Sequence, residues 1–127
     1  MKKNYTTGKL MICYLLIIFL MLISSSASSQ SPCGDDLCVV QFNAGWNAVK
    51  SVDWVTDKKL NDCITKSIDI AIDTKAAGKY GIVVVPTILI FNGGEEVGRF
   101  QANIMMEMKT TQKEVQEKID EIIMEDF

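Results

Sequence analysis

The chain has 127 residues, of which 48% are hydrophobic and 23% charged, and its formal net charge is −3 at pH 7. A chain of this length can build one compact domain and leaves little room for a second. Nucleic acid is disfavoured as a partner, because phosphate backbones attract clustered Lys and Arg and this chain is acidic. The chain has no histidine, which is the most common metal ligand. We therefore predict neither a cofactor nor a metal site.

The N-terminal segment, residues 1–29, is typical of a secretory signal peptide. Three lysines precede an uncharged apolar run over residues 10–23, and a serine-rich stretch follows it. The run is shorter than the roughly 18 apolar residues that a membrane-spanning helix needs, so a retained anchor is the less favoured alternative. We expect cleavage near Ala27 to Gln30 and a periplasmic or extracellular protein that is not bound to the membrane. Removing the three lysines would change the net charge to −6.

The first part of the mature chain predicts an arm, a strand and a helix. Residues 30–37 contain Pro, Gly and two Asp, a composition that favours an irregular N-terminal arm. The short, mostly apolar run over residues 38–43 predicts a strand that is buried on both faces. A helix is predicted over residues 47–60, with Asn47 as its N-cap, since an asparagine side chain can accept a hydrogen bond from the first turn.

A second strand and a second helix are expected next. Residues 64–70 are β-branched and loosely alternating, which predicts a strand, and residues 71–80 predict a short helix that ends at Gly81. A strand, helix and strand in this order imply parallel pairing through a right-handed crossover.

The last part of the chain predicts a hairpin and a final helix. Apolar strands over residues 87–91 and 95–101 flank an Asn-Gly-Gly turn, which is a strong hairpin signal. Residues 111–114 have the form of a capping box, and an apolar stripe follows them to the end of the chain. The order β-α-β-α-β-β-α predicts an α/β fold, in which a mixed four-stranded sheet carries helices on both faces.

Three segments resemble the thioredoxin-like superfamily, and they occur in the family's order. Residues 41–46 resemble the strand and tryptophan before the family's Cys-Gly-Pro-Cys motif, residues 79–87 its cis-proline segment, and residues 91–95 its hairpin. The chain lacks the strand and helix that usually open a thioredoxin. The resemblance implies a minimal thioredoxin fold over residues 38–127.

The active-site motif of the family is degenerate in this chain. Where the family has Trp-Cys-Gly-Pro-Cys-Lys, one residue fewer is present, and the segment reads Trp46, Asn47, Ala48, Val49 and Lys50. Dithiol exchange needs a low-pKa thiolate and a resolving thiol, and asparagine supplies neither. The resemblance further implies that Gln41 replaces the family's buried acid. We predict no catalytic residue here and a protein that is not an enzyme.

The cis-proline segment can retain a recognition role without cysteines. In the family, the residue before this proline offers its backbone N–H and C=O to an extended peptide, which is a form of strand addition. The resemblance implies a cis Val85-Pro86 bond and a peptide or envelope-protein site formed by Trp46, Asn47, Val85 and Pro86. The structural alternative is that Pro86 only sets up the hairpin and that Trp46 fills the core. The sequence does not predict the oligomeric state.

Three cysteines follow the predicted cleavage site, namely Cys33, Cys38 and Cys63. In an oxidising compartment two of them are expected to pair, and all three pairings remain open because geometry decides among them. A structural disulfide is the expected outcome. The alternatives are a thiol–disulfide oxidoreductase that uses these cysteines in an unusual arrangement, or a structural subunit of an envelope assembly.

Overall fold

The structure is a computed structural model that describes residues 11–17 and 31–126. Residues 11–17 are helical and their side chains are exposed. Within the described ranges, no helix combines the length and the apolar character needed to span a bilayer. The cleavage region near Ala27 to Gln30 lies outside the described residues, so the signal peptide and the cellular location stay predictions.

A mixed four-stranded sheet in the order β2-β1-β3-β4 organises residues 31–126. The strands are β1 Cys38–Asn43, β2 Ile64–Asp69, β3 Thr87–Asn92 and β4 Glu95–Gln101. β1 pairs with β2 in parallel and with β3 in antiparallel orientation, and β3 and β4 form the hairpin. Every residue of β1 is buried, as its continuous apolar run predicts for a central strand.

Four helical elements connect or cover these strands. They are a 3-10 helix Gly45–Lys50, α1 Asp53–Thr56, α2 Thr74–Tyr80 and α3 Gln112–Glu125. α2 ends at Gly81, which has the left-handed φ of 63° that glycine adopts without steric cost. α3 begins with the predicted capping box, in which Thr111 and Glu114 each accept a hydrogen bond from the other's backbone N–H.

The sheet separates two apolar cores, because successive side chains of a strand point to opposite faces. On one face the ring of Tyr80 in α2 lies 5.1 Å from the ring of Phe42 and 5.7 Å from that of Phe91, measured between centroids. On the other face, side chains from β1 and β3 pack against α1, α3 and the residue before α1. This second core contains Val39, Val52, Val55, Ile88, Ile90, Val115, Ile119 and Ile122. Helices therefore cover both faces, and the predicted fold class is confirmed.

The first helix differs from the prediction of one helix over residues 47–60. The chain forms the 3-10 helix, leaves helical geometry, and then forms the single turn of α1. Asn47 is not a cap, since the residue at the N-cap is Ala44 and no side chain caps this helix. The physical reason is competition from side chains, because the Val52 N–H donates to Gln41 Oε1 at 2.6 Å instead of to a preceding helical carbonyl.

Candidate functional site

The degenerate motif lies at the carboxyl end of β1, where the chain enters the 3-10 helix. Asn47 is buried, with 5% of its surface exposed, whereas Trp46 is 68% and Val49 94% exposed. Ala48 and Lys50 are exposed as well. The residue at the position of the family's nucleophile therefore points inward, and its neighbours form the surface. The interpretation of Trp46 as a core residue is wrong.

A reciprocal pair of amides fills the interior of this site. Asn47 Nδ2 donates to Asn43 Oδ1 at 3.0 Å, and Asn43 Nδ2 donates to the Asn47 carbonyl at 3.1 Å and to Ser51 Oγ at 2.8 Å. No buried side-chain N or O atom in the described part of the chain lacks a partner. The pair thus fixes the 3-10 helix to the end of β1 through fully satisfied polar groups.

Gln41 extends this polar interior towards α1. It is almost completely buried, its Oε1 accepts from the Val52 N–H, and its Nε2 donates to Thr56 Oγ1 at 3.2 Å. Thr56 Oγ1 in turn donates to the Val52 carbonyl at 3.3 Å. A carboxamide does not titrate, so this position offers no group for acid–base catalysis.

Sequence reasoning missed three members of this interior, namely Asn43, Ser51 and Thr56. The single available signal is that a polar residue, Asn43, ends an otherwise apolar buried strand. A buried asparagine needs hydrogen-bond partners, but the sequence does not show which residues supply them.

The cis-proline segment lies beside the site. The Val85-Pro86 bond is cis, which confirms the prediction. The Pro86 carbonyl accepts from the Ala102 N–H at 3.0 Å, and Thr87 Oγ1 donates to the Val84 carbonyl at 2.6 Å. The backbone N–H and C=O of Val85 have no hydrogen-bond partner within residues 31–126, although the residue is only 6% exposed.

Several apolar side chains are exposed on the 3-10 helix and on the loops that contain residues 83 and 104–105. Lys50 Nζ donates to the Met105 carbonyl at 2.6 Å, which connects the 3-10 helix to the loop between β4 and α3. Ile104 and Met105 in this loop are exposed, as are Trp46 and Val83. The degenerate motif therefore combines an exposed aromatic side chain, Trp46, with an amide-filled interior.

The cysteines form one disulfide, between Cys33 and Cys38, whose Cα atoms lie 6.3 Å apart. Cys38 belongs to the core that α2 covers, whereas Cys63 packs against the opposite core and is free. The sheet therefore separates Cys38 from Cys63 and excludes their pairing. Burial raises the pKa of the Cys63 thiol to about 11, and the nearby Asp62 carboxylate adds to the effect. Little of the Cys63 thiol is therefore in the thiolate form, which is the reactive form, at neutral pH.

No family model matches the chain, and no curated protein matches it in sequence. Among solved structures, a mutant thioredoxin from Halobacterium salinarum is similar over 68% of this chain and 74% of its own, with 21% identity and a TM-score of 0.56. A thioredoxin from Fasciola hepatica shows 25% identity and a TM-score of 0.51, over 69% of this chain and 82% of its own. A thioredoxin from Nicotiana alata shows 25% identity and a TM-score of 0.51, over 75% of this chain and 77% of its own. The domain has a thioredoxin-like fold.

Proposed function

We propose that this chain is an exported, non-catalytic thioredoxin-like domain that binds an extended peptide or a segment of an envelope protein. The observation that carries the proposal is the unpaired backbone of Val85 beside the cis Pro86. Nearly all backbone N–H and C=O groups of buried residues are paired, so one residue with both groups unpaired is a natural place for strand addition.

The surroundings of Val85 fit such a role. The backbone pair can supply affinity for any extended chain, while side chains beside it supply selectivity. Trp46 has 68% of its surface exposed, and a large rigid aromatic side chain contributes contact area at a low cost in conformational entropy. Ile104 and Met105 add flexible and apolar surface. We therefore expect a peptide with apolar side chains.

Within this proposal Asn47 supports the site and does not contact the peptide. Its side-chain amide donates to Asn43 and its backbone carbonyl accepts from Asn43, so these groups are already engaged. Pro86 has no backbone N–H, and its carbonyl is already bonded to Ala102. The contacts then come from the Val85 backbone and from the Trp46 ring.

The oxidoreductase alternative rests on the disulfide between Cys33 and Cys38. Cys38 is completely buried and lies in a strand, and Cys33 lies in the arm before it. Neither residue is at a helix N-terminus, where the positive end of the dipole would lower a thiol pKa. These positions favour a structural role, in which the bond fastens the arm to β1.

Peptide binding is expected to depend on Trp46. Titration of the protein with extended apolar peptides from envelope proteins should shift the amide resonances of residues 45–49 and 84–87. Trp46→Ala should weaken binding roughly tenfold, because it removes the large apolar side chain that the proposal assigns to the peptide site.

Trp54→Ala is the matched control. Trp54 is partly buried against the core that α1 and α3 cover, so we do not expect it to contact a peptide. Equal losses of affinity in the two variants would show that removing a tryptophan weakens binding by destabilising the fold and not by removing a peptide contact. Amide shifts confined to α2 and α3 would place binding elsewhere and contradict the proposal.

A second expected result is that the protein does not reduce insulin disulfides above the rate of a buffer control. Asn47 cannot form a mixed disulfide, and Asn47→Cys should remain inactive because no resolving cysteine lies in the next turn. The assay is insulin turbidity with dithiothreitol, with an active thioredoxin as the positive control. Turnover that disappears in Cys33→Ser would favour the oxidoreductase alternative.

A further inference from the structure

Gln41 and Asn43, which belong to the amide interior, also line a cavity. A cavity of about 230 Å³ opens where the parallel strands β1 and β2 end. In open α/β sheets, ligands bind beyond the carboxyl ends of parallel strands. The cavity is lined partly by Ala44 and Ala48, which are apolar, and partly by Ser51, Ser67 and Asp69. The side chain of Ile68, between the last two, packs on the opposite face of the sheet.

Asp69 brings a carboxylate with free hydrogen-bonding capacity into this cavity. Its Oδ1 accepts from the Ala71 N–H at 2.8 Å, while Oδ2 has no hydrogen-bond or ion-pair partner within residues 31–126. Oδ2 lies 3.1 Å from the position that a Cβ on Gly45 would take. The Asp69 carboxylate thus lies close to the 3-10 helix at Gly45, where any residue with a Cβ would crowd it.

The other polar groups around the cavity do not neutralise this charge. Gln41 and Asn43 are neutral, and their amide groups already bond to Val52, Thr56, Asn47 and Ser51. The Ser67 hydroxyl also lines the cavity and has no hydrogen-bond partner within residues 31–126. A ligand that donates one hydrogen bond to the Asp69 carboxylate can therefore donate another to this hydroxyl. Apolar walls with one anionic end suit a ligand that has a cationic head and a short apolar stem.

We propose that this cavity binds a protonated primary amine on a short aliphatic stem. The ammonium donates to Asp69 Oδ2 and to Ser67 Oγ, and the stem lies against Ala44 and Ala48. This chemistry has two sources, a free alkylamine or a lysine side chain of a protein partner. The inference does not depend on peptide binding at Val85.

The test is an amide-shift titration of the full ¹⁵N-labelled chain with propylammonium chloride. We expect saturable shifts at Gly45, Ala48 and residues 67–69, and none of these with 1-propanol, which has the same stem without the charge. Asp69→Asn should weaken binding about tenfold, because a charge-assisted hydrogen bond becomes a neutral one. The asparagine keeps an acceptor for the Ala71 N–H, so the local turn is retained.

Asp73→Asn is the control for the loss of one negative charge, since Asp73 is exposed and does not line the cavity. Its affinity for propylammonium should equal that of the parent. Gly45→Ala, whose Cβ would meet the carboxylate, should weaken binding without removing the charge.

Two pentapeptides distinguish the sources, one with a central lysine and one with norleucine in its place. Cavity shifts from the lysine peptide alone assign the site to a protein side chain, and shifts from propylammonium without the peptide assign it to a free amine. Binding that is unchanged in Asp69→Asn, or no cavity shift with either amine, would overturn the proposal. Shifts at residues 84–87 without cavity shifts would support peptide binding at Val85 and reject the amine site.

Discussion

Replacing Asn43 with alanine is expected to lower the free energy of unfolding by about 3 kcal/mol, since each buried polar group left without a partner costs about 1–3 kcal/mol. The substitution removes three hydrogen bonds at once and leaves the Asn47 side-chain amide without its partner. The amide-shift pattern of the 3-10 helix should change as well, because Asn43 holds this helix to β1. Urea denaturation followed by circular dichroism measures the loss.

Asn92→Ala is the matched control for this experiment. Asn92 also ends a strand, but its side chain makes one exposed hydrogen bond, to Asp126 Oδ2 at 2.9 Å. Its removal should cost less than about 1 kcal/mol. If Asn43→Ala lowered the free energy of unfolding as little as Asn92→Ala, the amide interior would not be what stabilises the degenerate site.

Much of the fold follows from local patterns that no distant contact overrides. The buried run of β1, the Asn-Gly turn of the hairpin and the capping box at Thr111 each specify an element through neighbouring residues. The order of these elements then restricts the topology, because a short crossover makes β1 and β2 parallel. These predictions are confirmed for that reason.

The segment after β1 could not be predicted, because its conformation depends on contacts across the site. Ala48, Val52 and Val55 have helical spacing, and this spacing alone favours one continuous helix. The partner of the Val52 N–H is Gln41, eleven positions earlier and in another element. Periodicity carries no information about such a bond.

The roles of Trp46 and of the cysteines also depend on three-dimensional placement. Hydrophobicity alone favours burial for a tryptophan, yet Trp46 is exposed because Asn47 takes the inward position. Cys38 pairs in register with Ile64, and strand alternation then places the neighbouring Cys63 on the other face. Register is not readable from the cysteine spacing, so the pairing had to remain open.

Alkylation of Cys63 by iodoacetamide at pH 8 is expected to be about 100-fold slower in the folded protein than in the urea-unfolded protein. The thiolate is the reactive form, and burial together with the Asp62 carboxylate raises the pKa of this thiol from 9.0 to about 11. A raised thiol pKa disfavours the thiolate, so the rate should climb about tenfold per pH unit until pH 11, whereas the unfolded chain levels off near pH 9. Mass spectrometry of quenched samples gives the rate at each pH.

The experiment uses Cys13→Ser, because Cys13 is a second free and exposed thiol and would react first. Asp62→Asn separates the two causes of the raised pKa. It removes the smaller, coulombic contribution and keeps the larger one from burial, so it should move the pH profile only slightly towards lower pH. A profile that levels off near pH 9 in the folded protein would show that Cys63 is solvated, and a rate near pH 7 above that of the unfolded chain would identify it as an activated thiol. That second result would return the oxidoreductase alternative to consideration, with Cys63 as its nucleophile.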